Sequence, residues 1–234
     1  MQGEPVAAHS DESGNQVDAV STPAPIKPRM RGWLHLVSAP LALIAGIVLT
    51  SLAHGPARWA VGIYSLTAVM LFAVSGIYHR GKWKGRGVAI LRRLDHANIF
   101  LIIAGSYTPF AVVLMPGGQG RLLLWLVWSG ALLGVGFRVL WVGAPRWLYT
   151  PVYVALGWVA VFYLPTILHE GGVAVLVLTA VGGLLYTAGG VIYGIKRPNI
   201  SPKWFGFHEL FHSFVLGGFI AQYIAISLAV YTHR

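Results

Sequence analysis

The feature that most constrains this chain is a series of apolar runs, each about 20 residues long. A helix of that length is sufficient to cross the hydrocarbon core of a bilayer. Only 10% of the 234 residues are charged, against about 25% in soluble domains. The chain lacks the charge to cover a water-facing surface, so we expect an all-α, polytopic membrane protein.

The apolar runs predict a bundle of seven transmembrane helices, separated by short loops with glycine, proline and charge. The predicted spans are Leu34–Ala53, Ala60–Tyr78, Leu94–Met115, Leu122–Val142, Tyr149–Leu168, Val173–Ile195 and Phe207–Tyr231. Residues 1–30 are polar and rich in Ser, Pro, Asp and Glu, so they predict a disordered cytoplasmic tail before a membrane domain over residues 31–234. They contain no apolar segment typical of a signal peptide, and the first span is expected to remain in the mature protein.

The basic residues predict the orientation of the bundle. Thirteen lysines and arginines fall on the side of the N-terminal tail and three on the opposite side. Basic loops face the cytoplasm, so we expect a cytoplasmic N-terminus and an external C-terminus, in the cell (plasma) membrane. Arg138, late in the fourth span, is expected to snorkel to the basic face. The net charge of +10 then fits contact with anionic membrane lipids, and no nucleic-acid partner is expected.

Ionisable groups inside the spans mark a candidate site, because each costs roughly 2.5–3.5 kcal/mol to insert. The predicted topology brings Ser75, His79, Asp95, His208 and His212 to one layer at the cytoplasmic end. His208 and His212 are four residues apart and therefore share a helix face. Three imidazoles with one open position form the ligand set of a catalytic zinc centre.

We therefore predict a metal site formed by His79, His208 and His212, with Asp95 as general base and Ser75 as an orienting group. The chain has no cysteine, so any metal depends on His, Asp or Glu. Zn²⁺ is the favoured cofactor, although three imidazoles also suit copper, nickel or iron.

Other interpretations of these residues stay open. Asp95 alone could be the N-cap of the third helix. His35 either supports the metal site or is interfacial. His208-Glu209-Leu-Phe-His212 also fits the H-E-x-x-H motif of metalloproteases, in which the Glu is the base. The remaining histidines of note are interpreted as interfacial residues or caps: His54, His96, His169 and His233.

The motifs Ser75-x3-His79, Leu94-Asp95-His96 and His208-x3-His212 together resemble the hemolysin III family, which is related to the progestin and adipoQ receptors (PAQR) and to alkaline ceramidases. Supporting stretches are residues 103–110, 157–158, 183–189 and 205–214. The resemblance implies a seven-helix fold in which three histidines hold zinc and Ser and Asp complete the site. Bacterial members often carry an acidic residue and an Asn early in the first span, where this chain has Arg31-Gly-Trp-Leu-His35 and keeps only the His.

Two functions follow as expectations. The first is a zinc-dependent intramembrane hydrolase acting on a lipid amide whose acyl chains enter the bundle. The alternative is a non-enzymatic, receptor-like or membrane-perturbing protein with a structural zinc site. The sequence does not indicate the oligomeric state.

Overall fold

The computed structural model describes residues 27–141 and 143–233, so most of the predicted tail lies outside the described residues. No strand occurs within these ranges. The helical elements are α1 (Trp33–Leu52), α2 (Gly55–Arg80), α3 (Arg86–Val113), α4 (Gln119–Leu140), α5 (Arg146–Gly157), a 3₁₀ segment (Trp158–Tyr163), the single turn α6 (Leu164–Thr166), a π segment (Ile167–Gly171), α7 (Gly172–Ile195) and α8 (Phe207–Thr232).

Six helical segments in the described ranges are long and apolar enough to cross a membrane. Five correspond to single predicted spans, and the sixth, Arg146–Ile195, merges two of them into 50 helical residues. Near one end of this segment, Arg146 Nη1 donates to the Tyr193 carbonyl at 3.3 Å. Further in, Trp158 Nε1 donates to Thr187 Oγ1 at 3.0 Å. The segment therefore folds back on itself, and Gly172, with a positive φ of 79°, lies midway between these contacts.

The third helix begins earlier than the apolar pattern predicts. α3 starts at Arg86, after Gly85 with its positive φ of 53°, and not at Leu94. The residues between them are a short apolar stretch, 88–91, followed by Arg92 and Arg93. Ala, Leu and Arg are all good helix formers, so the helix extends beyond the long apolar run. Asp95 therefore lies inside α3, and the interpretation of Asp95 as an N-cap is wrong.

Packing brings the first and last helices together. α1 to α4 each pack on the next helix in sequence, α7 packs on α8, and α8 also contacts α1 and α3. α1 and α2 approach closely at Gly76, where an added Cβ would lie 2.8 Å from the Leu36 Cα. Large apolar side chains such as Trp125, Leu133 and Phe162 are exposed, as expected of helices that face lipid.

Tyr107 stabilises the irregular backbone after α5. Its hydroxyl accepts a hydrogen bond from the Ala160 amide at 2.7 Å and donates to the Gly157 carbonyl. These two backbone groups flank the start of the 3₁₀ segment, where the α-helical pattern ends. Unsatisfied backbone groups are costly in lipid, so the hydrogen bonds of this tyrosine lower the free-energy cost of interrupting the α-helix here.

Candidate metal centre

Three imidazoles meet where α2 ends and α8 begins. His79 lies in the last turn of α2, and His208 and His212 lie in the first two turns of α8. One ring nitrogen from each lies within 4.8 Å of the other two. The Nε2 atoms of His79 and His208 are 3.1 Å apart.

The three side chains fit a metal ion by chemistry and spacing. Zinc bonds of about 2.0–2.1 Å in tetrahedral geometry separate two nitrogen ligands by about 3.3 Å. The nitrogens here already lie within 4.8 Å of one another, so no separation must close by more than about 1.5 Å to share an ion. The structure thus brings the predicted ligands together, and their assignment to zinc stays a prediction.

Asp95 and Ser75 lie beside the imidazoles. Asp95 Oδ2 is 3.7 Å from His79 Nε2, which is too long for a direct hydrogen bond but close enough to share a small molecule with the site. Ser75 is buried one turn before His79. Ser75 and Asp95 both line the cavity inside the bundle, so the serine lies on the same side of the site as the carboxylate.

His35 belongs to the interior of the bundle. Its ring is 2% exposed and stacks on His212, with centroids 3.7 Å apart and planes 4° from parallel. Phe72 packs against the same ring in a T-shaped contact, with centroids 5.1 Å apart. Two alternatives were left open for His35. The structure excludes the interfacial one, because the ring is buried and stacks on the His212 ring.

Glu209 points to a different set of partners. One carboxylate oxygen pairs with Arg31, and the other accepts a hydrogen bond from the Gly206 amide at 2.8 Å, which caps α8. Glu209 is 2% exposed. Both oxygens are therefore engaged in holding α8 to the chain before α1, which argues against Glu209 as the base of a metalloprotease.

The expectation that His96 is interfacial is wrong, and so is the expectation that Arg138 snorkels to the surface. Arg138 is 1% exposed, and its Nη2 lies 3.0 Å from His96 Nδ1. Guanidinium nitrogens only donate, so Nδ1 must accept and the proton of the neutral ring sits on Nε2. That atom is 3.3 Å from the Tyr193 hydroxyl, which contacts Tyr149 at 3.1 Å.

Positive charge is crowded at this end of the bundle, which we call the basic end. Lys27 Nζ donates to the His79 carbonyl at 2.6 Å. Burial lowers the pKa of Lys27, with further lowering by Arg31 and Arg80, while Glu209 acts in the opposite direction. Backbone bonds from Arg29 and Met30 to Lys203 and Trp204 fix this stretch against the loop before α8.

Two cavities meet at the candidate centre. One is an apolar cavity of about 330 Å³ inside the bundle, which His35, Ser75 and His212 line. The other, which we call the basic vestibule, has about 930 Å³. Residues lining both are Asp95, His96, Tyr193 and His208. The imidazoles therefore lie at the junction of an apolar and a charged compartment.

The sequence did not predict the Arg31–Glu209 pair or the network around His96. The signal for the second was present, since an arginine and a histidine inside spans need partners. For the first, the only signal was the capping-box spacing of Gly206 and Glu209, which does not identify Arg31 as a partner. The histidines taken as interfacial or capping apart from His96 are exposed: His54, His169 and His233.

Fold and site together define a membrane-embedded helical bundle with a three-histidine candidate metal centre at one end. The family model for Haemolysin-III related proteins matches residues 24–223. The chain belongs to this family.

Two relatives are similar along most of their length. The Hemolysin-3 homolog of Bacillus subtilis (strain 168) is 32% identical over 164 residues, which cover 70% of this chain and 74% of that protein. Hemolysin-3 of Bacillus cereus is 29% identical over 197 residues, covering 82% of this chain and 86% of the relative. The matches therefore span most of the helical bundle.

Proposed function

We propose that the protein is a zinc-dependent intramembrane hydrolase of a lipid amide. The observation that carries the proposal is the position of the three imidazoles, beside a carboxylate and at the mouth of an apolar cavity. A hydrolase for lipids needs these parts in contact: a centre that activates water, a base, and an apolar chamber for the chains.

The chemistry divides among the residues as follows. His79, His208 and His212 would hold the zinc, which when bound would lower the pKa of a water and polarise the amide carbonyl. Asp95 would accept the proton of the attacking water and deliver it to the nitrogen of the leaving amine. Ser75 donates to the Asp95 carboxylate and keeps it facing the reacting atoms. His35 stacks on His212 and fixes the plane of that ring.

The apolar cavity holds the acyl chain of the substrate. Its walls include Ile99, Ile103, Phe110, Leu164 and Val215. An alkyl chain gains about 0.8 kcal/mol for each CH₂ removed from water, although a chain arriving from the bilayer gains little of this. The cavity therefore selects by shape and keeps bulk water from the amide.

We further propose that Arg146–Ile195 crosses the membrane twice, which gives seven spans. Fifty helical residues would extend about 75 Å if straight, far beyond a hydrocarbon core of about 30 Å. Seven crossings would put the two termini on opposite sides, and the excess of Lys and Arg at the basic end favours a cytoplasmic N-terminus and an external C-terminus. We propose the cell (plasma) membrane as the surrounding membrane.

The test is release of fatty acid from ceramide-like amides by purified, zinc-loaded protein. Replacing Asp95→Asn is expected to lower the rate by roughly 10²–10⁴-fold, the usual contribution of a general base, with metal content unchanged. Glu170→Gln is the matched control, because this carboxylate lies where the Arg146–Ile195 segment reverses and pairs only with exposed His169 among described residues. Equal rates from Asp95→Asn and the unaltered protein would refute the proposal.

A second candidate is a non-enzymatic, membrane-perturbing protein with a structural metal. The name of the Bacillus cereus relative, Hemolysin-3, favours it. A structural site is closed by a fourth protein ligand, for which Asp95, 3.7 Å from His79 Nε2, is the candidate. X-ray absorption at the zinc edge discriminates the two, since a bound water and three nitrogens favour the hydrolase, whereas a direct carboxylate bond favours the structural site.

A further inference from the structure

The basic vestibule carries much more positive than negative charge. Its described lining includes one carboxylate, Asp95, and six cationic side chains: Lys27, Arg31, Arg92, Arg138, Arg146 and Lys196. A cavity lined by one sign of charge raises the local concentration of ions of the opposite sign. The charge of this lining therefore favours binding of an anion in the vestibule.

Most of these cations have no carboxylate partner of their own in the described chain. Arg31 is paired with Glu209, but Arg138 bonds only to His96 and to the Trp141 carbonyl, while its Nε makes no hydrogen bond to a described residue. Arg146 lies over the Tyr193 ring at 4.4 Å. Stacked and carbonyl-bonded guanidinium groups keep their full charge, so these contacts position the cations without neutralising them.

Arg92 and Lys196 are the most available of the six. Both are exposed, and the side chain of neither has a hydrogen bond or an ion pair to another residue of the described ranges. They belong to different helix ends, α3 and the residue after α7. Two unpaired cations on separate elements can approach one anionic group from two directions.

We propose that the vestibule binds the phosphate-type head group of a lipid whose acyl chain occupies the apolar cavity. This inference rests on the proposed function and names its substrate class: an amide lipid with an anionic head group rather than a neutral one. Continuity of the two cavities supports it, because Asp95, His96, Tyr193 and His208 line both. A molecule that spans the junction presents its head–chain linkage to the imidazoles.

Phosphate oxygens suit this lining better than a single carboxylate. A phosphate monoester carries about −1.5 to −2 charges and three acceptor oxygens, and arginine binds such groups in bidentate fashion. The volume of the vestibule, about 930 Å³, is also larger than a carboxylate group requires. Free inorganic phosphate has the same oxygen acceptors and negative charge. The experiment must therefore distinguish binding of free phosphate from binding of a lipid head group.

The experiment measures binding to the full-length, metal-loaded protein in nanodiscs of zwitterionic lipid. The probes are a single-chain alkyl phosphate, the alkyl alcohol of the same length, and inorganic phosphate. The test variant is Arg92→Gln with Lys196→Gln. The matched control is Arg86→Gln with Lys203→Gln, which removes the same charges from exposed positions that do not line the vestibule.

The alkyl phosphate is expected to bind at least tenfold more tightly than either the alcohol or inorganic phosphate. The test variant should weaken that binding roughly fivefold at low salt, as expected for two solvent-facing charge pairs, and the control variant should not. Equal binding of alkyl phosphate and alcohol would overturn the inference. So would equal binding of inorganic phosphate, or equal weakening in the control.

Failure of this inference is distinguishable from failure of the proposed function. If fatty acid is released from neutral amides and the vestibule variants bind all probes unchanged, the hydrolase stands and the anionic head group is refuted. If alkyl phosphate binds with the expected charge dependence but no amide lipid is cleaved, whether neutral or with a phosphate head group, the head-group site stands and the hydrolase is refuted.

Discussion

Removing the positive partner of a buried carboxylate should destabilise this bundle more than removing the carboxylate. Arg31→Gln leaves Glu209, 2% exposed, with its hydrogen bond from Gly206 but without its ion pair. A buried charge that loses its partner costs about 3–5 kcal/mol. The Arg31 side chain is 19% exposed, so in Glu209→Gln the guanidinium reaches water, and Gln can keep the capping bond. That variant should lose only about 1 kcal/mol.

Thermal unfolding in detergent, followed by tryptophan fluorescence at one scan rate, measures the difference. For a chain of this length, 1 kcal/mol shifts Tm by about 2–4 °C. Arg31→Gln should therefore lower Tm by roughly 6–20 °C and Glu209→Gln by about 2–4 °C. The double variant should resemble Glu209→Gln, because it contains no unpaired buried charge.

Equal losses in the two single variants, or a double variant whose loss is their sum, would refute this reasoning. The first result would mean that the carboxylate reaches water despite its burial. The second would mean that the two side chains do not interact. Glu209→Gln should also retain its bound metal, and full loss of activity in that variant alone would instead favour Glu209 as the catalytic base.

Two further predictions concern the packing that holds the site. Gly76→Ala should cost about 1–3 kcal/mol by overpacking and lower Tm, because the added methyl group meets the backbone of Leu36. Gly62→Ala on the same helix is the control. Its added methyl group would lie 3.9 Å from the Thr50 side chain, an ordinary contact, and should leave Tm unchanged. Tyr107→Phe should cost about 1–3 kcal/mol by stranding two backbone groups, measured by the same melt. Tyr163→Phe, whose hydroxyl has no hydrogen bond among the described residues, is its control, and an equal Tm for both tyrosine variants would contradict the role assigned to the Tyr107 hydroxyl.

The sequence predicted what depends on local periodicity and on the order of the spans. The apolar runs identified the helices, and alternating span direction brought His79 and the pair His208 and His212 to one end. The start of α3 was missed because Arg86, Arg92 and Arg93 interrupt the apolar pattern, so the short apolar stretch 88–91 was not joined to the span. The continuous 50-residue segment Arg146–Ile195 was predicted as two spans, because apolar runs do not indicate whether the turn between them is helical.

The partners of the buried charged side chains could not be predicted from the sequence, for a different reason. Glu209 and Arg31 are 178 positions apart, and no periodicity links an α8 carboxylate to the residue before α1. His96 follows Asp95 directly, so the two side chains leave α3 about 100° apart, and the partner of His96, Arg138, comes from α4. Such pairs are set by how helices rotate against each other, which depends on the packing of the whole bundle.

The metal content of the purified protein tests the central claim most directly. Elemental analysis is expected to find about one zinc per unaltered chain, and His208→Ala/His212→Ala should lose it. The matched control His54→Ala/His169→Ala removes two exposed histidines and should keep it. Full zinc occupancy in both double variants would contradict the three-histidine centre.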